Sequence, residues 1–230
     1  HDTSSYSQRL RKIDWEALFA RGLGNYLESL REEWRRVYDF VLIDSRTGIT
    51  DIGGVCTIHL PDALITFFTT NEQSLADVAN VMERASAAHA ELPVDRHRLM
   101  VVPVPSRDES GSEFELSEEW RKKFASAIAG FLRNWVPGNE PPEQVLDFLK
   151  IPYFPYWSFG ERVPVLEEKD PENPKTLAYA YQALAKLIVS NFDWTEAREG
   201  VKTSELARKY EAQAEIAKLE ARKHDSAMAD

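Results

Sequence analysis

The chain has 230 residues, of which 43% are hydrophobic and 29% are charged, a composition typical of a globular protein with one well-cored domain. Its 38 acidic and 28 basic residues give a formal net charge of −10, which disfavours nonspecific binding to nucleic acid or to an anionic membrane. No apolar run approaches the roughly 18 residues of a membrane span, and the N-terminus has no signal-peptide pattern. The single cysteine, Cys56, excludes an internal disulfide and fits the reducing cytoplasm, with Cys56 as a buried structural thiol.

The first predicted element is a long amphipathic helix. Its apolar residues recur every three or four positions from Ala17 to Val37, and Asp14 precedes them as a plausible N-cap. The basic run from Arg31 to Arg36 is interleaved with glutamates, so we interpret it as a solvated face of the helix.

A buried strand is predicted next, because Phe40 to Ile43 form a nearly uninterrupted apolar run that suits a parallel sheet covered on both faces. Asp44 follows at its carboxyl end, where open α/β sheets place their ligand crevice and where a carboxylate can hold magnesium. Glycines further on, at positions 48, 53 and 54, let the backbone approach a phosphate and move when it leaves. A strand that ends in Asp-Ser before a glycine turn is also common without any nucleotide, so the segment alone leaves both interpretations open.

Strands and helices alternate through the rest of the chain. We predict further buried strands over 63–69 and over 98–104, the latter despite Pro103, which is unusual inside a sheet. Ser74 and Asp77 form a near capping box for the helix between these strands. The remaining predicted helices lie at 55–59, from 117 to about 135, at 143–149, at 177–192 and at 203–224.

This alternation predicts an α/β fold with a parallel sheet and helices on both faces. The domain would span 1–192, followed by a charged tail over 193–230. The helix predicted within the tail has a sparse, alanine-rich stripe, so it would be a solvated helix that packs weakly or pairs with a partner.

Four segments come in the order and spacing seen in the ParA and MinD class of P-loop ATPases. They read YDFVLIDSRTGITDIGG, LPDALITFFTTNEQSL, VVPVPSR and IPYFPYWSFGERVPVLEE. The chain is especially similar to the bacterial KGGVGK-type members whose switch segment reads IDSRTG. The resemblance covers roughly residues 1–192. It implies a doubly wound, Rossmann-like sheet, present only in part, in a cytoplasmic ATPase that binds ATP and Mg²⁺ and forms a face-to-face homodimer.

The resemblance implies roles for residues on the magnesium and switch side. Asp44 falls on the aspartate that ends the Walker B-like strand and holds the magnesium shell. Thr47 and Gly48 fall in the switch segment that senses the γ-phosphate, with the glycine amide facing it.

On the base side, Ser106 and Arg107 fall where the family usually carries Asn-Arg beside the adenine. Serine departs from that pattern at the base-reading position, whereas Arg107 can still stack on the base. Pro152 and Tyr153 fall in the loop whose backbone lines the base edge. An apolar loop that closes the core is the alternative interpretation of this segment.

The sequence contains no G-x-x-x-x-G-K-[ST] loop and no KGGVGK variant, whose backbone amides and lysines bind the phosphates. The chain therefore resembles the C-terminal half of such an ATPase, and alone we expect it to be inactive and to bind ATP weakly. The phosphate-binding half would lie upstream in the same protein or on another chain, or would have been lost.

A nonenzymatic module is the alternative function. In that case the chain keeps the fold as a scaffold and binds an unidentified protein partner through its tail or its aromatic segment. A Ser-His-Asp hydrolase finds little support, because the serines lie in no G-x-S-x-G elbow.

Overall fold

The structure is a computed structural model that describes residues 13–45, 54–93, 95–109, 114–160, 162–171 and 173–202. Its strands are β1 (Ala63–Phe68), β2 (Met100–Asp108) and β3 (Ile151–Pro152). Its helices are α1 (Trp15–Ala20), α2 (Leu23–Val37), α3 (Glu72–Ala90), α4 (Phe114–Leu132), α5 (Pro142–Leu149), α6 (Pro164–Glu167), α7 (Leu177–Val189) and α8 (194–202). A π-helical turn covers Val55–His59 and a 3₁₀ turn covers Pro155–Ser158.

The fold is a mixed α/β fold with a three-stranded parallel sheet in the order β1-β2-β3. The doubly wound arrangement stays a prediction, and the tail helix at 203–224 lies outside the described residues. Within the part of the chain that the structure describes, no helix is both long enough and apolar enough to cross a membrane.

The chain divides into two compact units. The first comprises His1–Leu64 and Asn80–Val101, and the second comprises Ile65–Ala79 and Val102–Asp230. In the second unit α5 packs against α4 and α7, and α7 also contacts β3. Its core consists of apolar side chains that are almost fully buried, among them Phe68, Val102, Val104, Ile128, Val145, Leu149 and Leu187.

Local capping explains where several helices begin. Asp14 is the N-cap of α1, as predicted, and its carboxylate accepts from Ala17 N at 2.9 Å. The capping box predicted for α3 is wrong. Asn71 caps this helix instead, because its side chain accepts from Ser74 N at 2.8 Å, and α3 therefore begins at Glu72.

The single long helix predicted up to Val37 is divided in two. Gly22 adopts a φ of 99°, which glycine reaches without the steric cost that a β-carbon brings, and α2 starts directly after it. The segments on either side keep their amphipathic pattern. The two helices, α1 and α2, pack against each other.

The buried strand predicted at Phe40 to Ile43 is wrong. The segment is not part of any strand among the described residues, and Leu42 is 83% exposed. Val37, Tyr38, Phe40 and Val41 are exposed as well. An apolar run becomes a buried strand only where a neighbouring strand takes up its backbone groups and helices cover its faces.

Candidate functional site

Arg107 lies at a bulge near the carboxyl end of β2. Ser106 pairs with Ile151 and Asp108 pairs with Pro152, so Arg107 is the extra residue on the β2 side. Its φ is 54°, in the left-handed region that residues other than glycine rarely occupy. Such a backbone costs about 1 kcal/mol or more and persists only where the surrounding structure holds it in place.

The bulge places the guanidinium of Arg107 over an aromatic ring. Its Cζ lies 4.6 Å from the centroid of Tyr153, which follows β3 directly. Tyr153 is held there by its backbone, because its N–H donates to Asp108 O at 2.9 Å. Arg107 is exposed and Tyr153 is half-buried, so the stacked pair forms part of the surface at the end of the sheet.

The side chain of Ser106 stabilises the sheet. Its hydroxyl donates to Phe68 O at 3.2 Å and so links the end of β2 to the end of β1. The Ser106 hydroxyl is therefore already engaged with the backbone.

The structure thus brings Arg107, Pro152 and Tyr153 together in the second unit. Asp44 belongs to the first unit, where it is exposed and follows the unpaired segment rather than a strand. Thr47 and Gly48 lie outside the described residues.

Asp44 alone fits only an incomplete magnesium site. Among the described residues no group of three or more His, Cys, Asp or Glu side chains is arranged to hold a metal ion. Magnesium is commonly bound through one or two carboxylates together with substrate phosphates and waters, so one aspartate suffices only when a nucleotide supplies the remaining ligands.

Cys56 is half-buried in the π-helical turn, and burial raises the pKa of its thiol. The raised pKa keeps the sulfur protonated and poorly nucleophilic at neutral pH. This environment fits the predicted structural thiol, although the side chain is less buried than expected.

A cluster of ion pairs around two buried arginine side chains in the first unit is the feature that the sequence pattern concealed. Arg31 is only 6% exposed, so the interpretation of its basic run as a solvated face is wrong at this position. Arg31 pairs with Asp62, and Arg96 pairs with Glu28. The sequence feature that could have indicated this cluster is the spacing of Glu28 and Arg31. They lie one turn apart on α2, next to the buried Leu27.

His89 lies beside this cluster and is buried, with no hydrogen-bond partner for its Nε2 among the described residues. Burial lowers its pKa; Asp62 opposes this effect, whereas Arg31 and His59 reinforce it. The folded chain therefore holds His89 neutral more firmly than the unfolded chain does.

We expect the free energy of unfolding to fall as the pH drops from 7 to 5. The contribution of His89 is complete above the pKa of an unfolded histidine, about 6.5, and is lost as the pH falls through the lower folded pKa. Urea unfolding at pH 7, 6 and 5 measures this loss, which should be smaller in His89→Gln. His97→Gln, at an exposed histidine, is the control. An identical pH dependence in wild type and His89→Gln would contradict the assignment.

Comparison of the chain with protein-family models, with curated proteins and with solved structures gave no match.

Proposed function

We propose that this chain supplies the base-binding side and the magnesium-and-switch segment of an ATP site of the ParA and MinD class. The observation that carries the proposal is the stacking of Arg107 on Tyr153 from a strained bulge at the carboxyl end of β2. Ligands of open α/β sheets bind beyond this end of the strands. Strained residues cluster at ligand sites, so the positive φ of Arg107 supports a ligand-binding role for the bulge.

The chemistry of the stacked pair suits a nucleobase. A guanidinium is planar and weakly hydrated, and it stacks on aromatic faces, so an adenine can stack on Arg107 while Tyr153 supports the arginine from beneath. Pro152 and Tyr153 offer no free backbone N–H donor to a base. Pro152 has no N–H and the N–H of Tyr153 is taken by Asp108 O, an arrangement that favours the exocyclic amino group of adenine.

The phosphates need a second component. The 230 residues contain no phosphate-binding loop, so a KGGVGK-type segment of the same protein or of another chain would complete the site, and an intact or identical protomer is the expected partner. Asp44 would then hold Mg²⁺ against the phosphates, and Thr47 and Gly48 would respond to the γ-phosphate. Without that component we expect weak nucleotide binding and no turnover.

Replacement of Arg107 tests the base-binding side. We expect Arg107→Gly and Arg107→Ala each to weaken adenosine binding about tenfold, because both remove the stacking cation. The two variants should differ in stability. Glycine at position 107 adopts the positive φ without strain, whereas alanine keeps the backbone strain. Arg107→Gly should therefore be the more stable of the two by up to about 1 kcal/mol. NMR titration with adenosine and urea unfolding give the two readouts. Equal adenosine affinity in wild type and both variants would refute the assigned role.

A nonenzymatic scaffold is the second candidate, and one observation favours it. The segment after β3 exposes large apolar side chains at Tyr156, Phe159, Val163, Val165 and Leu166. Arg162 shapes this surface, because its guanidinium lies 4.8 Å from the ring centroid of Tyr156 and pairs with Glu167. Exposed apolar patches of this kind mark protein interaction sites. A scaffold without nucleotide chemistry should show no adenosine binding at Arg107, so the same titration separates the two candidates.

A further inference from the structure

Two buried arginines hold the carbonyl groups of two consecutive residues. Arg96 donates to His59 O, and Arg31 Nε donates to Leu60 O at 3.3 Å. The side chains of both arginines are 7% exposed. They come from different parts of the first unit, since Arg31 lies on α2 and Arg96 precedes β2.

The carbonyl groups lie at the end of the π-helical turn Val55–His59. His59 ends the π-helical turn, and Leu60 N closes this turn by donating to Val55 O at 3.0 Å. Isolated π-helical turns are rare and occur frequently at functional sites. His59 adds a further link to α2, because its Nε2 lies 3.4 Å from both Gly24 O and Glu28 Oε1.

The charges make these links costly to break. Hydrogen bonds from a charged donor are about twice as strong as neutral ones, and a buried guanidinium that loses its partners retains the full penalty of its lost hydration. Glu28 pairs with Arg96, and Asp62 pairs with Arg31. A displacement of His59 and Leu60 away from α2 would separate Arg31 from Leu60 O. It would also force Arg96 to give up either His59 O or its pair with Glu28 on α2.

We propose that Arg31 and Arg96 form a clamp that joins the π-helical turn Val55–His59 to α2 as one rigid body. A displacement of the turn, of the kind that a nucleotide in the proposed site would cause, then passes directly to α2. The transmission to α2 rests on the proposed nucleotide function. The clamp itself is a property of the chain without any ligand.

Hydrogen exchange of the ligand-free chain, followed by mass spectrometry, tests the clamp. We expect Arg96→Lys to accelerate exchange in peptides over 55–62 at least ~10-fold, because a lysine keeps the charge but cannot bridge a carbonyl and a carboxylate as a guanidinium does. Arg31→Lys should act in the same way. Arg35→Lys, at an exposed arginine on the same helix, should leave these peptides unchanged.

Two results would overturn the proposal. One is unchanged exchange over 55–62 in both clamp variants, and the other is equal acceleration in all peptides, including those of α7, which indicates general destabilisation. If the lysine variants do not fold, Glu28→Gln removes the charge that pairs with Arg96 while keeping the side-chain shape, and its exchange pattern is interpreted in the same way. Because no nucleotide is present, failure of the clamp and failure of the nucleotide function are separate results.

Discussion

Asp44→Ala should lower ATP hydrolysis at least ~100-fold once this chain is joined to a KGGVGK-type phosphate-binding half. A magnesium ion contributes several kcal/mol of charge stabilisation to phosphoryl transfer, and each 1.36 kcal/mol of barrier corresponds to a factor of ten in rate. Asp44 is exposed and has no group of acidic or histidine neighbours among the described residues that could hold the metal in its place. Steady-state phosphate release in the presence of Mg²⁺ measures the effect.

Asp39→Ala is the matched control for this experiment. Asp39 lies a few residues before Asp44, is also an exposed aspartate and has no assigned role, so its loss should leave turnover unchanged. Equal turnover in wild type and Asp44→Ala would show that the magnesium role belongs to another residue. Loss of turnover in both variants would instead indicate a general electrostatic effect of the segment.

Phe68→Ala should destabilise the chain by about 3–5 kcal/mol, the usual cost of removing a large buried aromatic side chain. Phe68 is 1% exposed at the end of β1, and its ring meets that of Phe124 edge-on, with centroids 5.2 Å apart. Alanine would remove this contact and leave a cavity between β1 and α4. Urea-induced unfolding, monitored by circular dichroism, gives the change in free energy.

Phe67→Ala is the control, because Phe67 is adjacent on the same strand but points to the opposite face and is 51% exposed. We expect it to cost less than about 1 kcal/mol. The difference between the losses in free energy of unfolding of the two variants shows which face of β1 is buried. Similar losses in both would mean that the strand does not present one buried and one exposed face in this way.

The sequence was sufficient to locate β1, because ALITFF combines β-branched and aromatic residues between polar turns. Helix α7 was located from its dense apolar pattern, although it ends at Val189 rather than at residue 192, because Asn191 and Phe192 adopt a positive φ. These signals are local, so they do not depend on the rest of the fold. β2 was found but extends to Asp108, beyond the predicted end, because its last residues are fixed by pairing with β3.

The run from Phe40 to Ile43 shows where a local pattern is insufficient. Its side chains favour burial on both faces, yet burial depends on neighbouring elements that the local pattern does not encode. Among the described residues no strand pairs with it, and Phe40, Val41 and Leu42 remain exposed. The apolar pattern showed that the segment favours burial, but it did not show which elements surround the segment.

The candidate site was likewise predictable from the sequence only in part. The resemblance implied that Arg107 and Tyr153 lie on the same side of the site, and they are in contact. The bulge that directs Arg107 depends on a register irregularity with no sequence signature of its own. The clamp could not be predicted, because Arg31 and Arg96 are 65 positions apart and resemble ordinary solvated arginines in sequence.

The most direct test of the nucleotide account is to map where adenosine binds on this chain by NMR. We expect saturable shifts concentrated at the amides of Arg107, Asp108 and Tyr153, with no comparable shifts when ribose replaces adenosine. Shifts absent at these residues at saturating adenosine, or equally large with ribose, would contradict the proposal that the carboxyl end of β2 holds a nucleobase.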